Sequence, residues 1–143
     1  MTTVQIRPAH SSDEAAAVAL WRDCGLTVPH NDPHHDFRFA RARPGSDVLV
    51  AADPAGGAIV GSVMVGHDGH RGWVYYLATA PARRGQGIGR SLMRAAEQWL
   101  RERGVAKLQL MVRPTNTEVH AFYERLGFEQ APRTIYQRWI DGR

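Results

Sequence analysis

Apolar and polar positions change period several times along this 143-residue chain. Residues 4–7 alternate and stop at Pro8, which predicts a short strand. Ser11 or Ser12 then offers a helix cap, with Asp13 and Glu14 in the first turn. Ala17, Leu20, Trp21 and Cys24 share the next helical face, and Gly25 ends it. Asp32-Pro33 marks a second helix start, with Phe37, Ala40 and Arg41 on one face and Pro44-Gly45 as its close. Residues 48–52, 59–65 and 73–79 are three apolar runs separated by turn-forming stretches, the pattern of an antiparallel meander. A helix follows over residues 88–103, its stripe formed by Ile88, Leu92, Ala95, Ala96, Trp99 and Leu100. Residues 107–112 alternate as a strand; Val119, Phe122, Tyr123 and Leu126 mark a short helix; residues 134–140 read as a last strand. The predicted order is β-α-α-β-β-β-α-β-α-β, an α/β domain with a mixed sheet flanked by helices. No linker or repeat divides the chain, so one domain over residues 1–143 is expected.

Chemistry concentrates at the turn into the long helix. Arg83-Arg84-Gly85-Gln86-Gly87-Ile88-Gly89 puts three glycines into five residues. Such a backbone bends tightly and carries no side chains over the turn. The N–H groups of Gly87, Gly89 and Arg90 can then face an anion at the positive end of the helix dipole. The Walker pattern requires Gly-Lys-Ser/Thr, whereas Gly89 is followed by Arg90-Ser91. The dinucleotide pattern requires glycine where Arg90 stands. A purely structural strand-to-helix link stays open on the glycines alone.

Composition narrows the classes. A lone cysteine, Cys24, forms no internal disulfide, and its place on an apolar stripe predicts a core thiol. The net charge of +4 rests on arginine, with Lys107 the single lysine. Nucleic acid is not expected as a partner, because no basic residues interleave with aromatics as on RNA-binding sheets. No apolar run is long enough to span a bilayer, and the first ten residues lack a signal-peptide pattern, so no membrane is expected and the cytoplasm is the expected compartment. His30, His34 and His35 lie near Asp32 and Asp36, but their spacing matches no metal motif, so no metal is expected.

The arrangement Arg84-x-x-Gly87-x-Gly89 resembles the pyrophosphate loop of the GNAT (GCN5-related N-acetyltransferase) superfamily. Leu77-Ala78-Thr79-Ala80-Pro81 is similar to the family's L-x-V-x-P segment, with Thr79 in place of valine. Residues 116–128, NTEVHAFYERLGF, resemble N-x-x-A-x-x-x-Y-x-x-x-G-F, with Val119 where alanine is common. Leu20-Trp21, Asn31-Asp32 and residues 68–72 are similar to small bacterial members of the YpeA type.

The resemblance implies a mostly antiparallel sheet of six to seven strands, splayed at the centre and flanked by about four helices. It implies an acetyl-CoA-dependent N-acetyltransferase in which an amine attacks the thioester directly. Pantetheine would pair with strand backbone around Leu77, Ala78 and Thr79. The diphosphate would lie on Arg84, Gly85, Gln86, Gly87, Ile88, Gly89 and Arg90. Asn116 would bond pantetheine or order water, although it also suits a helix cap. Tyr123 would protonate the departing thiolate, although its spacing also suits a core aromatic. Many relatives carry a glutamate base on the strand before the loop; residues 73–77 carry no carboxylate. A water chain, Asp68, His70 or Tyr75 stay open as substitutes.

The acceptor is expected to be a small-molecule or peptide amine, with specificity set by residues 26–43, whose polar side chains include Asn31, Asp32, His34, His35 and Asp36, and by residues 68–76, with Asp68, His70 and Tyr75. The carboxylates could hold an ammonium group, and Trp73 or Tyr75 could offer an aromatic wall. A homodimer is compatible with this reading. The competing classes are a CoA-binding module without catalysis and a protein N-terminal or lysine acetyltransferase.

Overall fold

The computed structural model describes residues 3–143, which form two compact units, one ending at Leu110 and the other Met111–Arg143.

The first unit is built on a sheet of five strands in sequential order: β1 (Gln5–Pro8), β2 (Ser46–Ala52), β3 (Ile59–His67), β4 (Gly72–Thr79) and β5 (Leu108–Gln109). The first four pair antiparallel. β5 joins β4 in parallel. The helices of this unit are α1 (Glu14–Asp23), α2 (Pro33–Ala40) and α3 (Ile88–Arg101). The meander expected over residues 48–79 is thus present.

Neighbouring residues of a strand point to opposite faces, and β3 shows which helix covers which face. A Cβ on Gly61 would stand 2.8 Å from Ile88 and 2.9 Å from Leu92, so Gly61 faces α3. Ser62, the next residue, accepts a hydrogen bond from the Trp21 indole and faces α1. Trp21, Phe37, Val48, Val50 and Ala78 form the core under α1 and α2. On α3 the buried stripe is Ile88, Leu92, Met93, Ala96, Trp99 and Leu100; Met93 joins the expected set and Ala95 is only half-buried. Cys24 packs against the α1–α2 core as expected, and its thiol donates to the Thr79 carbonyl at 3.3 Å.

Two expectations about strands need correction. The strand expected over residues 107–112 is only Leu108–Gln109, because β4 and β5 pair at Gly72–Leu108 and Trp73–Gln109 and go no further. No strand forms over residues 134–140, so the sheet has five strands among the described residues rather than six or seven. A strand exists through a paired neighbouring strand, and among the described residues no strand pairing reaches this segment. Ile135, Tyr136, Trp139 and Ile140 are exposed there.

The second unit contains α4 (Thr117–Arg125), close to the helix expected from Val119 to Leu126. Among the described residues no helix is long and apolar enough to cross a membrane.

Candidate functional site

Between β4 and α3 the chain makes a 3-10 turn at Pro81–Arg83 and then the glycine turn. Gly85 and Gly87 take φ values of 79° and 81°, left-handed conformations that favour glycine. Gly87 is the N-cap of α3 and has no side chain with which to cap it. The first N–H groups of a helix lack intrahelical acceptors, so those of Ile88, Gly89 and Arg90 are available to an anion. A Cβ at Gly85 or Gly87 would meet nothing within 4 Å, so the space over the turn is open.

The two arginines have different tasks. Arg83 donates to Asp53 at 2.7 Å and to the Gln86 side-chain oxygen at 2.9 Å, which ties the turn to the β2–β3 connection. Arg84 and Arg90 are exposed and form no ion pair among the described residues. Ile88 buries its side chain in the core and offers only its backbone to the turn.

β4 leaves β5 after Trp73, so among the described residues one edge of residues 75–79 has no strand partner. Leu77 and Thr79 are half-buried on this stretch, while the Ala78 side chain is buried. A β-bulge interrupts the other edge: Ser62 pairs with Ala78 and Met64 with Tyr75, leaving Tyr76 and Leu77 against Val63 alone. Tyr76 carries the strain with φ 51°, which a tyrosine rarely adopts. Its carbonyl accepts from Ser62 Oγ at 3.0 Å. Its ring stacks on Trp21 with centroids 4.0 Å apart. Its hydroxyl donates to Asp36 at 2.7 Å. Burial, with Asp36 beside it, raises the pKa of this hydroxyl, which keeps it a donor.

Asp36 and Tyr76 lie within the two stretches expected to set acceptor choice, residues 26–43 and 68–76, but the sequence gives no sign that the two side chains meet. Residues 73–77 read as an uninterrupted strand, and one feature alone departs from that pattern. A Tyr-Tyr pair where alternation requires a change of face was the one available sign.

The expected acceptor residues are scattered by the fold. Asp32 caps α2, accepting from the His34 N–H at 3.0 Å, and Asn31 is exposed before it. Asp68 shapes the β3–β4 turn: it accepts from the N–H groups of Arg71 at 2.7 Å and His70 at 2.9 Å, and from the Trp73 indole at 3.2 Å. These donors hold its carboxyl down at about 2. His70 is exposed in the same turn. Tyr75 is half-exposed and lines an open depression of about 400 Å³ with Arg43, Met64, His67, Asp68 and Trp73. The structure therefore joins Asp68 to Tyr75 but leaves Asn31 and Asp32 apart from that depression. No group of three His, Cys, Asp or Glu side chains that could hold a metal ion gathers among the described residues.

In the second unit, Asn116 is the N-cap of α4, its side-chain oxygen accepting from the Val119 N–H at 3.4 Å. At the other end, the Gly127 N–H donates to the Glu124 carbonyl and the Phe128 N–H to the Tyr123 carbonyl. Gly127, at φ 90°, thus closes a Schellman motif whose hydrophobic contact is the Tyr123–Phe128 ring pair, 5.5 Å apart. The spacing Tyr123-x-x-x-Gly127-Phe128 therefore has a physical purpose: the helix stop fixes the tyrosine ring. Phe122 packs on the same ring at 5.1 Å. Burial pushes the Tyr123 hydroxyl up to about 12, so it holds its proton at neutral pH.

Residues 12–128 match the family model described as Acetyltransferase (GNAT) family. An acetyltransferase of Pectobacterium atrosepticum is 40% identical over 141 residues, covering 98% of this chain and 99% of that protein. An acetyltransferase of Yersinia enterocolitica is 42% identical over 126 residues, covering 88% of each. Among solved structures, AAC(6')-Iy in complex with the bisubstrate analogue CoA-S-monomethyl-acetylneamine superposes with a TM-score of 0.81. That match covers 96% of this chain and 99% of the other at 19% identity, a likeness of fold.

Proposed function

The chain belongs to the acetyltransferase (GNAT) family and is an N-acetyltransferase, and from that premise we propose that it moves an acetyl group from acetyl-CoA to a primary amine of a small molecule. The single observation that carries the cosubstrate is the start of α3. An uncapped helix N-terminus, an open left-handed glycine turn and two unpaired arginines, Arg84 and Arg90, together suit a diphosphate. Arg83 holds that turn in shape through Asp53 and Gln86 rather than meeting the ligand. The unpartnered edge of β4 at Leu77 and Thr79 suits the amides of pantetheine, which would add to it as a strand does.

Tyr123 is assigned as the acid that protonates the leaving thiolate. The assignment rests on its place in the signature and on a hydroxyl that burial keeps protonated. Asn116 retains its side-chain N–H₂ for the cosubstrate while its oxygen caps α4. The small-molecule acceptor is supported by the structural neighbour solved with the bisubstrate analogue CoA-S-monomethyl-acetylneamine. The whole chain would act as one catalytic domain in the cytoplasm.

The test is acetyl-CoA binding by calorimetry, paired with thiol release against a panel of primary amines. The wild-type chain is expected to bind acetyl-CoA and to release CoA with at least one amine. Gly87→Glu places a carboxylate where the diphosphate would lie and is expected to abolish measurable affinity. Unchanged affinity in that variant would overturn the placement at the turn.

A further inference from the structure

We propose that the Asp36 carboxylate, held by the Tyr76 hydroxyl at the β4 bulge, binds a cationic group of the acceptor and so makes the enzyme select amines that carry a second positive charge. The proposal rests on the acetyltransferase reading and names the acceptor class for that site.

The carboxylates on this face of the sheet are not equivalent. Glu14 is paired with Arg38, at 2.8 Å through two nitrogens, and is hydrogen-bonded to the His34 ring at 2.8 Å. Asp32 is engaged as the α2 cap and Asp68 by its turn. Asp36 has one side-chain partner, the Tyr76 hydroxyl, and no cation within ion-pair distance among the described residues. An ionised carboxylate accepts about four hydrogen bonds, so a half-buried one with a single donor has capacity left for a charged ligand.

Packing alone does not account for the arrangement. A phenylalanine at position 76 would stack on Trp21 equally well and would carry no hydroxyl to desolvate. A left-handed tyrosine costs on the order of 1–3 kcal/mol, and such residues concentrate where geometry serves a ligand. The extra residue in β4 puts two consecutive tyrosines on the α1–α2 face. Tyr75 lies opposite Met64, which packs against that core, and Tyr76 packs there too. Without the bulge Tyr76 would turn toward α3, and its hydroxyl could not meet α2.

Position fits the same role. The bulge lies on the stretch of β4 that β5 has left, and its tyrosine faces away from α3. A cosubstrate whose phosphates sit at the start of α3 leaves the α1–α2 face for the acceptor. The reacting amine must be neutral to attack, so a cation that stays charged needs its own counter-charge. Asp36 supplies it.

The experiment compares 1,5-diaminopentane with 1-aminopentane on the wild-type chain, Asp36→Asn and Tyr76→Phe. Calorimetry in the presence of CoA gives each Kd; thiol release gives each KM. Asparagine keeps the shape and can still accept from Tyr76, so folding is preserved, and the melting temperature checks it. The wild type is expected to prefer the diamine by about ten-fold or more. Asp36→Asn should erase that preference while its acetyl-CoA affinity stays within about two-fold of wild type. Tyr76→Phe should reduce the preference partially. A preference that survives in Asp36→Asn overturns the proposal. So does a wild-type chain that binds acetyl-CoA but shows no diamine binding up to about 50 mM. A wild-type chain that binds neither overturns the acetyltransferase site as well.

Discussion

The Trp21 indole N–H donates to Ser62 Oγ at 2.8 Å across 41 positions of sequence. Ser62 is fully buried and is the one polar side chain among the buried described residues. Its hydroxyl donates in turn to the Tyr76 carbonyl at 3.0 Å. A single hydroxyl thus satisfies α1 on one side and the strained residue of β4 on the other.

Ser62→Ala is expected to destabilise the fold by about 1–3 kcal/mol, because it leaves a buried indole N–H without an acceptor and a carbonyl without its donor. Urea unfolding followed by tryptophan fluorescence measures it. A loss under about 0.5 kcal/mol would mean that water or a shifted Trp21 replaces the serine.

Gly61 and Gly72 let α3 approach the sheet. A Cβ at Gly61 would stand 2.8 Å from Ile88, 2.9 Å from Leu92 and 3.2 Å from the Ala78 carbonyl. At Gly72 it would meet Leu100 at 2.5 Å. Gly61→Ala and Gly72→Ala are each expected to cost about 1–3 kcal/mol of stability by overpacking. Gly72→Ala should be the milder where the Leu100 side chain can rotate away, whereas Gly61 also faces backbone. Thermal unfolding of both variants ranks them.

What the sequence disclosed follows from which interactions are local. The period of Ile88, Leu92, Ala96, Trp99 and Leu100 predicts α3, and the glycines before it predict an open turn, because both depend on neighbours in the chain. Asp32 and Asn116 read as caps for the same reason. The Asp36–Tyr76 bond spans 40 positions and depends on a one-residue bulge that no periodicity announces. The β-branched and aromatic residues of 134–140 express strand propensity, yet propensity does not supply a pairing partner. Arg83 and Arg84 look alike in sequence; only the position of Asp53 separates the brace from the free cation.

Asp68 gives a pH signature. Its three donors hold the folded carboxyl at about 2, below its unfolded value of about 3.9. A depressed carboxylate contributes stability above the unfolded value, and the contribution is lost as pH falls from about 4 toward 2. Asp68→Asn removes the titration, so the gap in melting temperature between wild type and variant should narrow over that window. The group is exposed and the effect is screened by salt. A gap that stays constant from pH 5 to about pH 2 would mean the turn does not favour the ionised form.

Tyr123→Phe separates chemistry from packing. The ring contacts with Phe122 and Phe128, and the helix stop at Gly127, need no hydroxyl. Stability at neutral pH should therefore change little. If the hydroxyl protonates the leaving thiolate, kcat should fall by about ten- to ten-thousand-fold, the range of a lost acid group. The acetyl-CoA affinity should hold. Burial raises the folded value to about 12 from an unfolded value of about 10, so the tyrosine's contribution to stability is complete below pH 10 and is lost as pH rises toward 12. The wild-type rate should accordingly show no alkaline limb from Tyr123 below about pH 11. Phenylalanine should also remove this residue's share of the alkaline loss of stability, leaving that of Tyr76. Parallel losses of activity and melting temperature in Tyr123→Phe would make the residue a core aromatic and place the acid elsewhere.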